Sequence, residues 1–303
     1  MISKEARVMF EMLRPMKASM NTIPMSEEQI AALKKQNLEQ AAQIPLPKDI
    51  VIEQICEEDV EGEIHRITCD DKAEDHILFF IFGGGFENGD VRLNYPTIWA
   101  LAREAKMDVF GIQYRQWPQA KNPAALEDCI RGFHWLVKKG YDPKKIRVYG
   151  QSAGAILTLT MTMYLRDQGE MLPDKISISS PLIYVGPYTA SEIVEKLPSR
   201  IEREERDPMI SNKGRIRYFE ETDIKSPYAS VIFGDLHDFP ELQIHVGTEE
   251  ILYDDAVYLK KMCDKAGVKA QLFSWDGLFH VFMGLPIPEA EKALHIIGEY
   301  LRK

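Results

Sequence analysis

The chain has 303 residues, 45% of them hydrophobic, and its 47 acidic against 37 basic side chains give a formal net charge of −10. That is enough apolar material for one large domain, or one domain with an accessory lid, while the acidic balance and the lack of any dense Lys/Arg run exclude a nucleic-acid partner. No run of about 18 apolar residues is present to cross a membrane, and the N-terminal residues Met1 to Arg7 lack the long apolar core of a secretory signal.

Residues 1–44 read as helical. Met9, Phe10, Leu13 and Met16 recur at helix spacing, and Ser26-Glu27-Glu28 opens a second helix over Ile30, Leu33 and Leu38. This amphipathic stretch must bury its apolar face on something, and a lid over a pocket is one way to do so. From Pro45 the period changes to two. Residues 49–55 and 63–68 alternate as an antiparallel pair of strands, and His76 to Phe82 is a near-continuous apolar run, as a strand covered on both faces would be. Further strands are expected at 107–114, 146–149, 175–180, 242–246 and 268–275. Helices are expected near 94–106, 123–139, 153–168, 251–266 and 288–302. Strands alternating with helices predict an α/β fold with a mostly parallel sheet flanked on both sides. Residues 187–240 interrupt the alternation, broken by Pro187, Pro198, Pro208 and Pro227. An insertion after a strand, on the loop side of the sheet, is where a substrate cap would go. The four cysteines, Cys56, Cys69, Cys129 and Cys263, are scattered with no Cys-x-x-Cys pair. They predict reduced thiols in a cytoplasmic protein and no metal site.

The chemistry is concentrated in Gly150-Gln151-Ser152-Ala153-Gly154, which follows a short apolar strand and opens a helix. In that context Ser152 stands on a sharp strand-to-helix bend with its hydroxyl above the sheet. The helix N-terminus behind it offers backbone N–H groups to a developing negative charge. A serine hydroxyl needs a base. Of seven histidines, five fall inside predicted strands or helices (His65, His76, His134, His245 and His295) and read as surface or packed residues. His280, in a loop beyond the last strand, faces the serine side of such a sheet; His237, on a loop before a strand, is the second candidate. An acid must orient the histidine. The strand end at Gly247-Thr248-Glu249-Glu250 supplies two adjacent glutamates, and spacing leaves both open. Asp254 and Asp255 read as first-turn helix residues or as salt-bridge partners of neighbouring loops. Finally, Phe82-Gly83-Gly84-Gly85-Phe86 follows a buried strand, and three glycines let the backbone turn its N–H groups toward a substrate carbonyl.

Together these segments resemble the hormone-sensitive-lipase-like branch of the α/β-hydrolases, which includes many bacterial carboxylesterases. The similarity lies in Gly83 to Gly85, Gly150 to Gly154, Gly247 to Asp254 and His280-Val281-Phe282, with Tyr114-Arg115 and Pro123 to Asp128 as further matches. It covers roughly residues 75–300. It implies an α/β-hydrolase fold with a sheet of about eight strands and a helical cap. It further implies Ser152 as nucleophile, His280 as base and, through the Gly247/Leu252/Asp254 frame, Glu250 as acid. The oxyanion donors would be the N–H groups of Gly84, Gly85 and Ala153. Residues 1–44 and 187–225 would form the cap on a core of 45–186 and 226–303. Two departures stand out. Phe82 replaces the histidine that opens the family's glycine loop, which loosens or re-braces that loop; one misaligned donor is worth about 2.7–4 kcal/mol of transition-state stabilisation. Gln151 stands where an acidic or small residue is common.

The expectation is a serine carboxylesterase acting on small, short-chain acyl esters through an acyl-enzyme, with no cofactor or metal. An amide hydrolase or deacetylase acting on an acylated metabolite or sugar would use the same machinery. A non-catalytic binding relative would have lost a triad member, and only Phe82 speaks for it. A homodimer through an edge strand or residues 288–302 is also compatible with the resemblance.

Overall fold

The computed structural model describes residues 2–20, 26–58, 60–72, 75–187, 191–204, 206–208 and 216–303. The part of the expected cap at 188–190, 205 and 209–215 therefore lies outside the described residues, as do residues 21–25 and the side chain of Met16. Eight strands form one sheet: β1 (Ile50–Cys56), β2 (Glu63–Cys69), β3 (Ile77–Ile81), β4 (Asp108–Ile112), β5 (Ile146–Gln151), β6 (Lys175–Ser179), β7 (Glu241–Gly247) and β8 (Ala270–Trp275). Their order is β1-β2-β4-β3-β5-β6-β7-β8. The first two strands are antiparallel to each other and β2 is antiparallel to β4; all later neighbours are parallel.

The parallel centre is made of residues that have nowhere to go but inward. Every residue of β3, β4 and β5 is buried, because helices cover both faces. These helices are α3 (Tyr95–Ala105), α4 (Ala124–Lys138), α5 (Ala153–Asp167), α8 (Tyr253–Lys265) and α9 (Pro288–Arg302), with α3 packed on α9 and α4 on α5. No helix among the described residues is long and apolar enough to cross a membrane.

The N-terminal helices α1 (Lys4–Met20) and α2 (Glu27–Ala41) form as the periodicity predicts, and α2 starts on a capping box between Ser26 and Gln29. Each buries one stripe. From α1, Ala6 is fully buried and Phe10 meets Phe279 edge-on at 5.6 Å, one residue before His280. From α2, Ile30 is buried, and Lys34 reaches within 3.8 Å of the Asp90 carboxylate. The insertion contributes two short helices, α6 (Ser191–Lys196) and α7 (Ser199–Glu202). The second is stapled to the start of α8. Arg200, almost wholly buried, pairs with buried Asp255 and reaches the Tyr184 carbonyl. Ser199 exchanges hydrogen bonds with Asp254 and Ile251, and Asp207 accepts from the Ile251 N–H. Asp254 and Asp255 thus fill both roles open to them from sequence, lying in the first turn of α8 and bonding to the neighbouring insertion through α7.

Candidate active site

Ser152 lies between β5 and α5 with φ 53° and ψ −118°, a conformation that costs about 1–3 kcal/mol and persists only when its surroundings over-determine it. Those surroundings are the flanking glycines. A Cβ on Gly154 would lie 2.0 Å from the Ile81 carbonyl oxygen, and one on Gly150 would lie 2.3 Å from Thr158 Oγ1. The bend therefore seats against β3 at Gly154 and folds α5 back over β5 at Gly150 only because both positions lack a side chain. His280 follows β8, is 4% exposed, and its Nε2 is 2.9 Å from Ser152 Oγ. Its Nδ1 is 3.0 Å from Glu250 Oε2. A carboxylate accepts only, so Nδ1 carries the hydrogen and Nε2 is the lone pair that faces the serine hydroxyl.

Glu250 is completely buried. Its other oxygen, Oε1, accepts from the Gly247 N–H and from Ser180 Oγ at 3.1 Å. Three donors therefore meet a carboxylate that water does not reach. Glu249 faces outward, its Oε2 3.6 Å from Arg206 Nη1. His237 is exposed and bonded to Asp235. His134 and His295 bond to surface glutamates, and His65 is held by Tyr95 and Glu63. His245 is packed inside β7, stacked on Phe273 and hydrogen-bonded to Gln243 and Trp275. Burial pushes its imidazolium down to about 3, so it is a neutral core residue.

The glycine loop curls beside the serine, with Gly84 at φ 121° and Gly85 at φ 63°, a backbone region that L side chains avoid. Gly83, Gly84, Gly85, Ser152, Ala153 and His280 line one cavity of about 510 Å³. The missing histidine at Phe82 has re-braced this loop. The Phe82 ring stacks on Tyr114 at 4.2 Å, and the buried Tyr114 hydroxyl donates to the Phe82 carbonyl at 2.9 Å. The Gln116 amide clamps Gly89, accepting its N–H at 2.8 Å and donating to its carbonyl at 2.9 Å. Over the far end of the loop, Phe86 stacks on Tyr218 at 4.8 Å. The Tyr114-Arg115 and Pro123 to Asp128 segments are also one unit, since Arg115 forks onto the buried Asp128 carboxylate.

Ser180 is a member that sequence reasoning missed. It is fully buried with φ 50°. Its hydroxyl both donates to Glu250 and accepts the Val281 N–H at 3.0 Å. Val281 is itself left-handed, φ 50° and ψ 38°, which is an outlier for a β-branched residue. One hydroxyl thus ties the acid to the strained residue after His280. The only sequence signal was its place just past a strand end.

The fold and this serine–histidine–glutamate constellation define the α/β-hydrolase class. Residues 78–284 match the model of a family described as alpha/beta hydrolase fold. An acetyl-hydrolase from Streptomyces hygroscopicus is 31% identical over 233 residues, spanning 76% of this chain and 77% of the relative. An esterase from Acinetobacter venetianus is 28% identical over 231 residues, 74% of each chain. A crystal structure of an esterase from the bacterial hormone-sensitive lipase family superposes with a TM-score of 0.86 at 29% identity, covering 99% of this chain and 98% of that one. The chain belongs to the α/β-hydrolase fold family and, within it, to the hormone-sensitive-lipase-like carboxylic ester hydrolases.

Proposed function

We propose that this protein is a serine carboxylesterase that cleaves small, short-chain acyl esters through an acyl-enzyme. The observation that carries the reading is the continuous chain of hydrogen bonds Ser152 Oγ–His280 Nε2–His280 Nδ1–Glu250 Oε2, at 2.9 and 3.0 Å. Ser152 Oγ attacks the ester carbonyl as its proton passes to His280 Nε2. Glu250 holds the imidazole in the reactive tautomer and stabilises the imidazolium. The N–H groups of Gly84, Gly85 and Ala153 take the oxyanion. His280 returns the proton to the leaving alcohol, then takes one from the water that releases the acid.

The cavity size supports a small ester. Residues 1–44 and 187–225 serve as the cap in this reading, since Ile216 lines the cavity and α2 sits on the turn that carries Asp90. A cytoplasmic setting belongs to the same reading, with all four cysteines as free thiols, as does a homodimer through the edge of β8 or through α9. A second reading, a deacetylase on an acetylated metabolite, draws on the name of the Streptomyces acetyl-hydrolase. Hydrolysis of p-nitrophenyl acetate, butyrate and octanoate, with Ser152→Ala as control, tests the proposal. Turnover that falls with chain length and vanishes in the variant is expected; full activity in Ser152→Ala sinks it.

A further inference from the structure

Gln116 lies two residues beyond Tyr114, is 3% exposed, and commits both ends of its side-chain amide to one peptide. Its Oε1 accepts the Gly89 N–H at 2.8 Å and its Nε2 donates to the Gly89 carbonyl at 2.9 Å, both bonds buried. Only a side chain with an acceptor and a donor at amide spacing makes both. Gly89 in turn touches the glycine loop with no room to spare. A Cβ on Gly84 would lie 2.4 Å from the Cα and from the N of Gly89. A Cβ on Gly89 would lie 2.3 Å from the Gly83 carbonyl oxygen and 2.4 Å from the Phe82 ring. The Gly89 backbone is therefore the floor on which Gly84 rests. The turn that closes the loop ends one residue earlier, where the Asn88 N–H donates to the Gly84 carbonyl at 2.9 Å. The 114–117 segment also holds the loop at its root and its far side, through the Tyr114 hydroxyl on the Phe82 carbonyl and the Trp117 N–H on the Phe86 carbonyl, each at 2.9 Å. Of these contacts, that of Gln116 bears on the residue beneath Gly84.

A phenylalanine ring at position 82 packs but makes no conventional hydrogen bond, so the side-chain hydrogen bonds that brace this loop come from Tyr114 and Gln116. We propose that Gln116 is a positioning residue of the oxyanion hole: by holding the Gly89 peptide at both its N–H and its carbonyl, it sets the seat of Gly84 and so the aim of the Gly84 N–H at the developing oxyanion. Such donors act through preorganisation, being aimed beforehand at the place where charge develops. Without Gln116 the buried Gly89 N–H and carbonyl lose their partners, which is unfavourable. The peptide then turns to find others, and Gly84 shifts with it while Ser152, His280 and Glu250 stay in place. The proposal deepens the esterase reading and rests on it for the assignment of Gly84 as a donor.

Gln116→Met keeps the length of the side chain and removes both bonds. With p-nitrophenyl butyrate, kcat should fall roughly ten- to hundredfold while KM stays within about threefold, the mark of an interaction made in the transition state. Butyl trifluoromethyl ketone, which adds to a serine as a tetrahedral oxyanion, should bind the variant more weakly by about the same factor. Gln116→Glu supplies the rescue, because a protonated carboxyl has the acceptor and the donor of the amide and a carboxylate has acceptors alone. Burial favours the protonated form, so the kcat of Gln116→Glu relative to the parent should rise toward one as the pH falls from about 9 to about 6. Taking the ratio cancels the titration of His280, which is common to both. A ratio that stays below about one tenth over that range overturns the proposal, as does a Gln116→Met kcat within about threefold of the parent. A fall in kcat that leaves binding of the ketone unchanged overturns it too. If Gln116→Met alone does not fold by circular dichroism, the Gln116→Glu profile decides; if neither folds, Gln116 is a structural residue and the proposal falls. If the parent turns over no ester, the esterase reading fails instead, and the ketone decides the role of Gln116. Weaker binding to Gln116→Met is then expected, and equal binding, or none to the parent, overturns it.

Discussion

Replacing Glu250 by glutamine separates charge and tautomer from shape. The amide fits the same space, but its two ends are no longer alike. The Gly247 N–H that meets Oε1 can only donate, so the amide oxygen must turn toward it. The NH2 end is then left facing His280 Nδ1, 3.0 Å away in the parent. A donor at that position forces Nδ1 to accept and places the imidazole hydrogen on Nε2, where it points at Ser152 Oγ and cannot take a proton from it. The expected loss in kcat is about ten-thousandfold, the order found when the triad aspartate of a serine protease is exchanged for asparagine, or about 5 kcal/mol of transition-state stabilisation. The fold should hold, since the Gly247 contact survives. Glu249→Gln removes only a rim ion pair with Arg206 and should leave kcat within about fivefold. Steady-state hydrolysis of p-nitrophenyl butyrate by both variants, with thermal unfolding to confirm folding, makes the comparison. Glu250→Gln within tenfold of the parent, or Glu249→Gln as the crippled variant, would refute the argument.

Ser180→Ala strips a donor from the buried Glu250 carboxylate and takes the acceptor from the part-buried Val281 N–H. Stability should drop by about 1–3 kcal/mol in urea titration, and kcat should fall roughly ten- to hundredfold with KM little changed, as expected of a displaced base. Arg200→Ala leaves Asp255 buried without its cation. Burial already raises that carboxyl, with Arg200 opposing it. A loss of about 3–5 kcal/mol is expected, with Arg200→Met/Asp255→Leu recovering most of it. His245 sets an acid limit. Its folded-state value of about 3 lies below the ordinary histidine value of 6.5, so the unfolded chain binds the proton first and stability falls with pH below the unfolded value. At pH 5 this removes about 2 kcal/mol. Urea midpoints measured from pH 7 to pH 5 should show that slope in the parent and a shallower one in His245→Gln, where His65, also held down by burial, still contributes; an unchanged slope in the variant would place the titration elsewhere.

The sequence by itself determined whatever contiguous residues decide. Buried strands announce themselves as apolar runs, the bend at Ser152 by glycines on either side of it, and the turned loop by Gly83 to Gly85. These are local constraints, set by the steric needs of a few neighbouring peptides, and the eight strands and their helices formed within a few residues of where periodicity put them. His280 was legible because a loop after the final strand of such a sheet opens on the serine side. The choice between Glu249 and Glu250 was not readable from spacing, because adjacent residues differ only in the direction they face. That direction is fixed by where β7 ends, where α8 begins, and which donors wait inside. The same holds for Ser180, 70 residues from Glu250 and 101 from Val281, and for the hydroxyl of Tyr114 on the Phe82 carbonyl. Gln151 could be seen to be unusual, but the direction of its amide is set by Asn94, which accepts its Nε2 and is itself held by the Asp90 carbonyl. Such contacts depend on strand order and register, including β2 lying beside β4, and no local pattern encodes them. The tertiary structure alone decided which polar groups were paired and which were left waiting.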